Sequence, residues 1–335
     1  MKKTGVAIVG YGYWGPNLVR NFAEHPHCDL VSVCDKQASR LSGVRARYPK
    51  VRCVASFDEL LQDPHVDAVV IATPVSTHFI LAKRALMAGK HVLVEKPLAT
   101  SVREAQALVD LARKRRRVLL AGHTFIYSPP VRKVKQSIDR GELGRLYYMD
   151  FSRVNLGLFQ PDVNVLWDLG PHDVSIALYW LGRSPLTVRA QATSFVRRRI
   201  EEIGYISMEF SGGVFVHAHV SWLAPVKLRR IAVVGSRRML VYDDTEKEKV
   251  KIYNQGVLKN PETFGEFQLS YRSGDIHSPK IDSTEPLSLE CEDFIDSIRK
   301  NRQPVSNGRF GVEVVRVLEA AQRSLKKGGA AIRLR

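Results

Sequence analysis

Five short, almost continuously apolar runs in the N-terminal third of the chain constrain its fold more than any other feature. They read VAIVG, LVSVCD, DAVVIAT, HVLVEKP and RVLLAG, and helix-length segments that end in Pro or Gly separate them. Strands that are apolar on both faces are typical of a parallel sheet with helices on both sides. The alternation therefore predicts an α/β fold whose first domain is a doubly wound parallel sheet.

The pattern changes after Tyr127, because longer segments with alternating polar and apolar residues take over. Six such segments lie between residues 146 and 244, and hairpin signals such as SGG and GSRR join several of them. This alternation predicts a C-terminal α+β domain with a large, mainly antiparallel open sheet. Two helix patterns near the C terminus can cover that sheet or pack back on the first domain. We place the domains at residues 1–123 and 124–335.

The bulk composition excludes several classes of protein. The 335 residues, 44% of them apolar, suffice for two domains with cores, and no apolar run approaches the roughly 20 residues that span a membrane. The N terminus runs directly into a strand instead of a signal peptide, so we expect a cytoplasmic protein without membrane contact. The four cysteines have no CxxC spacing, which favours reduced, buried thiols over a zinc site.

The net charge of +17 would attract nucleic acid, anionic surfaces or phosphorylated small molecules, and the sign alone does not choose among them. The densest basic cluster, ARKRRR at residues 112–117, ends a helix pattern, where cations favour the helix dipole and stay solvated. No aromatic residues interleave it, and no helix-turn-helix or zinc finger occurs elsewhere. We therefore expect no nucleic-acid partner.

A glycine motif follows the first apolar run and opens a helix. Gly10, Gly12 and Gly15 form GxGxxG, in which the first glycine permits a tight turn, the second admits a pyrophosphate and the third allows close helix packing. Asp35 ends the second run, 20 residues beyond Gly15, where a carboxylate can bind both ribose hydroxyls. The motif predicts a Rossmann dinucleotide site. Asp35 favours NAD over NADP, although Lys36 and Arg40 could reach a 2′-phosphate.

Three proton-handling side chains, those of Asp168, His172 and Asp173, lie close together in the segment VNVLWDLGPHDVSIALYWLG, residues 163–182. Asp168 precedes an apolar helical run and is placed to cap that helix, and His172 lies one turn further on. The two side chains can meet a common ligand, or they can form a capping Asp and a hydrogen-bonded His at a domain junction. The local sequence leaves both interpretations open.

The segment ATPVSTHFILAKRALMAGKHVLVEKPLA, residues 72–99, closely resembles the signature of the Gfo/Idh/MocA oxidoreductase family. The TP pair, the histidine five residues after Thr73, AGKHV and EKP stand at the family's spacing, and Asp168 and His172 meet its DxxxH pattern. The resemblance covers essentially the whole chain and implies an NAD(P)-dependent dehydrogenase acting on a CH–OH group. It implies a cofactor site lined by Gly10, Tyr11, Gly12, Tyr13, Trp14, Gly15, Asp35, Thr73, Pro74, His78, Glu95 and Lys96.

The resemblance also implies catalytic roles for Lys96, His172 and Asp168. A buried Lys96 ammonium can stabilise alkoxide character as hydride leaves, and the bond to Pro97 could be cis. His172 is the candidate general base, because imidazole titrates near neutral pH. Asp168 would orient the substrate or tune neighbouring charges, and Asp173 is expected to pair locally.

The segments GYGYWGPNLVRNF and NLGLFQPDVNVLWDLGPHD look most similar to family members that act on nucleotide-linked sugars in amino-sugar and surface-polysaccharide pathways. The expected reaction is oxidation at carbon 3 of a UDP-N-acetylhexosamine or its uronate. NADPH-dependent reduction of a 3-keto nucleotide sugar and oxidation of a free polyol or inositol stay open. The expected substrate contacts are Tyr127, Arg153, Asn155 and Asn164. A large open sheet also predicts a homodimer or homotetramer.

Two other classes of function deserve comparison. The histidines of VHAHV, His217 and His219, lie on one side of a strand and invite a metal-hydrolase interpretation, but no third cluster with ligand spacing completes a site. We therefore expect no metal. A non-catalytic dinucleotide-binding regulator fits poorly with an intact set of Lys96, Asp168 and His172.

Overall fold

The structure, a computed structural model, describes residues 3–157, 159–160, 162–258 and 270–334. The chain forms two compact units. The first unit comprises Met1–Tyr127 and Thr284–Arg316, and the second comprises Ser128–Ser283 and Val317–Arg335. The division into domains at residues 123 and 124 stays a prediction.

The first unit is built on a six-stranded, entirely parallel sheet. Its spatial order is β3 (Arg52–Val54), β2 (Cys28–Cys34), β1 (Thr4–Val9), β4 (Ala68–Ile71), β5 (His91–Glu95) and β6 (Leu119–Gly122). The predicted doubly wound sheet is confirmed. The strand order reverses between β1 and β4, and ligands of such sheets bind at the carboxyl ends of strands beside this point.

Helices cover both faces of this sheet. They are α1 (Gly15–Glu24), α2 (Ser42–Arg47), α3 (Phe57–Gln62), α4 (Val75–Met87), α5 (Val102–Arg115) and α9 (Pro286–Arg299). Helix α9 comes from far along the chain and contributes Leu287, Cys291, Phe294 and Ile295 to the core. The rings of Phe22 and Phe294 meet edge to face at 6.4 Å, so α1 and α9 share one apolar contact.

The second unit contains a nine-stranded sheet, and the predicted mainly antiparallel open sheet is confirmed. Its order is β16 (Ile276–His277), β13 (Val250–Tyr253), β12 (Met239–Asp243), β11 (Leu223–Gly235), β7 (Leu146–Leu156), β10 (Phe215–Ser221), β9 (Ile203–Glu209), β8 (Thr187–Thr193) and β17 (Ile332–Arg333). Only the β7–β10 pairing is parallel. A separate ribbon consists of β14 (Gly256–Leu258) and β15 (Ser270–Arg272).

One face of the nine-stranded sheet is covered by helices. The helices of this unit are α6 (Pro129–Asp139), α7 (Val165–Asp168) and α8 (Gly170–Leu181), and α10 (Gly308–Lys326) runs across the division between the units. In β10, Val216, Ala218 and Val220 are buried, whereas Phe215, His217 and His219 are at least partly exposed. This alternation is what a sheet with one covered face requires.

The structure also describes the state of the cysteines and the character of the helices. All four cysteines are free thiols and three of them are buried, which matches the expectation from their spacing. Within the described ranges, no helix combines the length and apolar character needed to cross a membrane.

Candidate cofactor and catalytic sites

The glycine turn between β1 and α1 has the shape of a phosphate cradle. Gly10 has a φ of +96°, and a Cβ there would lie 2.4 Å from the carbonyl oxygen of Ala72. A Cβ on Gly15 would lie 2.4 Å from the carbonyl oxygen of Gly10. At Gly12 the nearest atom would be Arg40 Nη1, at 3.8 Å, so the backbone there stays open to a ligand. The turn therefore fits a dinucleotide pyrophosphate at the N-terminus of α1.

Asp35 follows β2 and joins that strand to the glycine turn. Its Oδ2 accepts a hydrogen bond from the amide of Tyr11 at 2.8 Å, and its Oδ1 accepts one from the amide of Gln37, also at 2.8 Å. Arg40 Nη1 lies 3.6 Å from Oδ2. The position combines a carboxylate suited to ribose hydroxyls with a cation suited to a 2′-phosphate.

The end of β4 and the start of α4 hold Thr73, Pro74 and His78. His78 is buried, with Nδ1 2.8 Å from the carbonyl oxygen of Pro97 and Nε2 2.9 Å from that of Thr73. The imidazole thus ties the end of β4 to the turn after β5. The Thr73 and Thr77 hydroxyls share a hydrogen bond of 2.6 Å.

Glu95 and Lys96 stand at the end of β5, and the Lys96–Pro97 peptide bond is cis. The amide of Lys96 donates to Glu95 Oε2 at 3.3 Å, and the Trp14 indole also donates to the Glu95 carboxylate. Burial raises the pKa of Glu95, and the Lys96 charge and these hydrogen bonds oppose the increase. Trp14 therefore links the glycine turn to β5, whereas Tyr13 is 82% exposed.

The DxxxH segment of the second unit differs locally from the expectation. The capping interpretation of Asp168 is wrong, because no side chain caps α8, the helix that follows it. Asp168 is instead the last residue of α7, whose cap is Asn164, which accepts the Trp167 amide at 3.2 Å. Asp168 Oδ2 accepts a hydrogen bond from the Trp222 indole at 3.0 Å. This bond fixes the carboxylate against the residue that joins β10 to β11.

His172 lies in the first turn of α8 and is partly exposed. Its carbonyl oxygen accepts the Ser175 hydroxyl at 2.8 Å, and its amide donates to the carbonyl oxygen of Leu169. The backbone of this turn is thereby fixed, and Nδ1 of the imidazole is buried. The general-base role of His172 stays a prediction.

The four predicted substrate contacts lie in different environments. Arg153 is 3% exposed, and its Nε donates to Asp173 Oδ1 at 2.8 Å, so Asp173 pairs locally as expected. Tyr127, in the first unit, is buried and donates its hydroxyl to Asp293 at 2.8 Å. Asn164 is buried in its capping role, and Asn155 is half-buried on β7. The substrate contacts themselves stay predictions.

His217 and His219 take part in a ring stack. The Tyr205 ring lies parallel to both imidazoles, with centroid distances of 5.5 and 4.5 Å, and the Ser207 hydroxyl lies 3.0 Å from His217 Nδ1. Among the residues that the structure describes, no group of three or more His, Cys, Asp or Glu side chains could hold a metal ion.

Three further residues near these groups were not predicted. Trp222 holds Asp168, Glu290 accepts the Thr124 hydroxyl at 2.8 Å, and His123 is fully buried after β6, against the ring of Phe310. Each belongs to a segment that reads as an ordinary strand or helix. The only signal for Glu290 is an acidic side chain on the apolar face of a helix pattern.

Comparison with known proteins identifies the family. The model of the oxidoreductase family with an NAD-binding Rossmann fold matches residues 4–123, and that of the GFO/IDH/MocA C-terminal domain matches residues 131–241. The chain belongs to the Gfo/Idh/MocA oxidoreductase family. It is an NAD(P)-dependent dehydrogenase, as its sequence predicts.

Several relatives are similar over nearly their whole length. A UDP-N-acetylglucosamine 3-dehydrogenase of Acidithiobacillus ferrooxidans is 31% identical over 93% of this chain and 94% of its own. The scyllo-inositol 2-dehydrogenase (NAD(+)) of Bacillus subtilis is 25% identical over 97% of this chain and 93% of its own. The solved structure of GenD2 from gentamicin A biosynthesis, in complex with NAD, is 26% identical, covers 100% of this chain and 97% of its own, and has a TM-score of 0.85.

Proposed function

We propose that this member of the family oxidises carbon 3 of UDP-N-acetylglucosamine or its uronate to a ketone, with NAD as the acceptor. The observation that carries the proposal is the 31% identity, across nearly the whole of both chains, to a UDP-N-acetylglucosamine 3-dehydrogenase. The net charge of +17 supports a diphosphate-bearing substrate over an uncharged polyol. We place the reaction in amino-sugar or surface-polysaccharide synthesis, in the cytoplasm.

The preference for NAD rests on Asp35. A 2′-phosphate would meet the carboxylate that holds the Tyr11 and Gln37 amides, whereas free ribose hydroxyls could donate to it. Arg40 opposes this preference, because a 2′-phosphate could replace its contact with Asp35. When bound, NAD supplies the acceptor for the hydride that leaves the sugar carbon. The open backbone at Gly12 would hold its pyrophosphate.

The catalytic proposals concern Lys96, His172 and Asp168. The Lys96 ammonium would hydrogen-bond the reacting hydroxyl and stabilise the negative charge that develops on its oxygen. His172 would accept the hydroxyl proton. Asp168, held by Trp222, would orient the sugar. We further propose that Thr73, Pro74, His78 and Glu95 contribute to the cofactor site.

Substrate binding is proposed to involve Arg153, Asn155, Asn164 and Tyr127. Of these, Arg153 is the candidate contact for the diphosphate, because guanidinium groups suit phosphate geometry. Its ion pair with Asp173 limits this role. Both groups are buried, so removal of one leaves the other as a buried charge without its partner.

Oxidation of an inositol is the second candidate. It is favoured by the 25% identity to the scyllo-inositol 2-dehydrogenase of Bacillus subtilis, which covers as much of the chain as the nucleotide-sugar relative does. A third reaction on the same residues is NADPH-dependent reduction of a 3-keto nucleotide sugar. This third reaction needs NADPH, and Arg40, which lies beside Asp35, could bind the 2′-phosphate of that cofactor.

The test is a substrate panel with product identification. UDP-N-acetylglucosamine, its uronate and myo-inositol are each incubated with NAD or NADP, a 3-keto nucleotide sugar is incubated with NADPH, and NAD(P)H absorbance and product mass are followed together. We expect a ketone product, formed with NAD, from one of the UDP-sugars. Oxidation of inositol alone would overturn the proposal. Turnover of a 3-keto nucleotide sugar alone would support the reductase instead.

A further inference from the structure

Two carboxyl groups of the first unit, those of Glu95 and Glu290, interact electrostatically near the carboxyl ends of β5 and β6. The Glu95 side chain packs over Gly122 of β6, where an added Cβ would lie 3.2 Å from both Cδ and Oε2 of Glu95. Two residues further on, the Thr124 hydroxyl donates to Glu290 Oε2 at 2.8 Å. Because Gly122 and Thr124 are so close in the chain, they bring Glu95 and Glu290 together.

The two carboxyl groups differ in what surrounds them. Glu95 is next to the Lys96 cation and accepts hydrogen bonds from the Lys96 amide and the Trp14 indole. Glu290 is completely buried, and the Thr124 hydroxyl is its donor. Within the described residues, Oε1 of each glutamate has no hydrogen-bond partner. The Lys96 charge and the hydrogen bonds from the Lys96 amide and the Trp14 indole therefore stabilise an ionised Glu95. In the described part of the chain, an ionised Glu290 has only the Thr124 hydroxyl as a donor.

In the part of the chain that the structure describes, the other ionisable groups that interact with Glu290 are not cations. They are Glu95 from β5, Tyr127 from the turn after β6, and Cys291 and Asp293 from its own helix α9. Asp293 accepts hydrogen bonds from the Tyr127 hydroxyl and the Val305 amide and pairs with Arg302 at 2.7 Å. Burial, the Glu95 charge and the Asp293 charge raise the pKa of Glu290 well above its ordinary value, against the Thr124 hydrogen bond.

We propose that Glu290 carries a proton at neutral pH and is a positioning residue that leaves Glu95 as the ionised neighbour of Lys96. A neutral Glu290 limits the buried pair to one negative charge, which Lys96 balances. The protonation of Glu290 stands on the contacts of the first unit alone. Its consequence for catalysis rests on the proposed role of Lys96.

The first test compares stability across pH in the wild type and in Glu290→Gln, whose amide mimics a protonated carboxyl group. A raised folded-state pKa gives stability that is fully present below the ordinary glutamate pKa of about 4.3 and is lost as pH rises toward the folded value. Glu290→Gln should not lose this stability as pH rises, because its amide does not ionise. Glu292→Gln, an exposed position on α9, is the matched control.

We expect Glu290→Gln to gain stability relative to the wild type as pH rises from about 5 to about 9, by up to about tenfold in the unfolding constant per pH unit. The Glu292→Gln curve should run parallel to that of the wild type. A constant difference between Glu290→Gln and the wild type, or one that shrinks with rising pH, would overturn the proposal.

Infrared spectroscopy supplies a second test that does not depend on the folding of one variant. The wild type at neutral pH should show the C=O stretching band of a protonated, buried carboxyl group. That band should persist in Glu95→Gln and Glu292→Gln and disappear in Glu290→Gln. A band lost in Glu95→Gln but kept in Glu290→Gln would place the proton on Glu95 and contradict the assignment, as would a wild type without the band.

The catalytic consequence is measured by the pH profile of kcat with the substrate that the panel identifies. Glu290→Gln should hold its kcat to higher pH than the wild type does, because a second charge no longer develops beside Glu95. Coinciding profiles would refute this consequence. The stability and infrared measurements need no substrate, so failure of the substrate proposal leaves the protonation of Glu290 testable.

Discussion

Lys96 and His172 are the residues on which the proposed chemistry depends most. Lys96→Met and His172→Asn should each retain NAD, because neither residue contributes to the glycine turn or to Asp35. Single-turnover hydride transfer should fall by at least ~10²-fold, the usual scale for loss of a general base or of a group that stabilises an oxyanion. NAD titration and stopped-flow NADH formation measure the two effects separately.

The matched controls are Lys114→Met and His65→Asn, which change the same residue types at exposed positions of the first unit. Both should keep wild-type rates. If Lys96→Met or His172→Asn keeps near-native turnover with the true substrate, the role assigned to that residue is wrong.

Arg153 illustrates how burial limits a substitution experiment. The side chains of Arg153 and Asp173 are 4% and 2% exposed, so Arg153→Ala leaves a buried carboxylate without its partner. We expect Arg153→Ala to lower the free energy of unfolding by about 3–5 kcal/mol, as loss of one member of a buried pair does. Denaturant unfolding measures this loss.

The double variant Arg153→Met/Asp173→Leu separates loss of the pair from loss of a substrate contact. It should recover most of the stability, because it removes both charges together. If the recovered double variant still has a raised KM for the UDP-sugar, a substrate contact by Arg153 is supported. Equal stability of Arg153→Ala and the wild type would contradict the structural role of the pair.

At the scale of elements, two substitutions in the turn between β1 and α1 distinguish an effect on stability from an effect on ligand binding. Gly12→Ala should leave stability nearly unchanged, since its Cβ would meet only Arg40 at 3.8 Å, but it should weaken NAD binding at the open backbone. Gly10→Ala should cost roughly 2 kcal/mol or more, because it combines a positive φ with a backbone clash. Thermal unfolding and NAD titration of both variants test this contrast. Unchanged NAD affinity in Gly12→Ala would contradict the cradle.

The elements also show what the sequence could predict. The apolar runs and the helix periods suffice for five of the six strands of the first sheet and for α9, because long periodic segments carry their own signal. Strand β3, with three residues, and α2, with six, are too short for a period to appear. Their formation depends on the neighbouring strand β2 and the core beneath it.

The candidate site was predictable where its residues form local motifs and unpredictable where they meet across the chain. The glycine turn and Asp35 lie at fixed spacing, so their proximity in the structure follows from a local pattern. The bond between Asp168 and Trp222 joins residues 54 positions apart, and that between Thr124 and Glu290 joins residues 166 apart. Such partners follow from tertiary packing, which a single sequence does not encode in any short pattern.

At the scale of the whole molecule, exposed aromatic residues on one face of the nine-stranded sheet predict a homo-oligomer. Tyr148 and Phe215 are register partners on β7 and β10, and Tyr205 lies opposite His219, so all three aromatic residues share this face. They are 45%, 42% and 38% exposed, respectively. Exposed aromatic patches of this kind mark association surfaces.

We therefore expect the protein to sediment as a dimer or tetramer, and we expect Phe215→Asp to shift it toward the monomer. Ile80→Asp is the matched control, because Ile80 is a large apolar residue that is 52% exposed on α4 of the first unit. Sedimentation velocity compares the three proteins. A monomeric wild type, or equal effects of the two substitutions, would contradict the proposed association surface.

The most direct test of the central claim follows the hydrogen on carbon 3 of the sugar. UDP-N-acetylglucosamine and its uronate, each deuterated at carbon 3 alone, are incubated with the enzyme and NAD, and the reduced cofactor is analysed by mass spectrometry. The proposal predicts that the deuterium of one of these sugars appears in the nicotinamide ring and that this sugar becomes a ketone without it. Reduced cofactor that lacks deuterium, formed while the label stays on the sugar product, would show that the reaction occurs at another carbon.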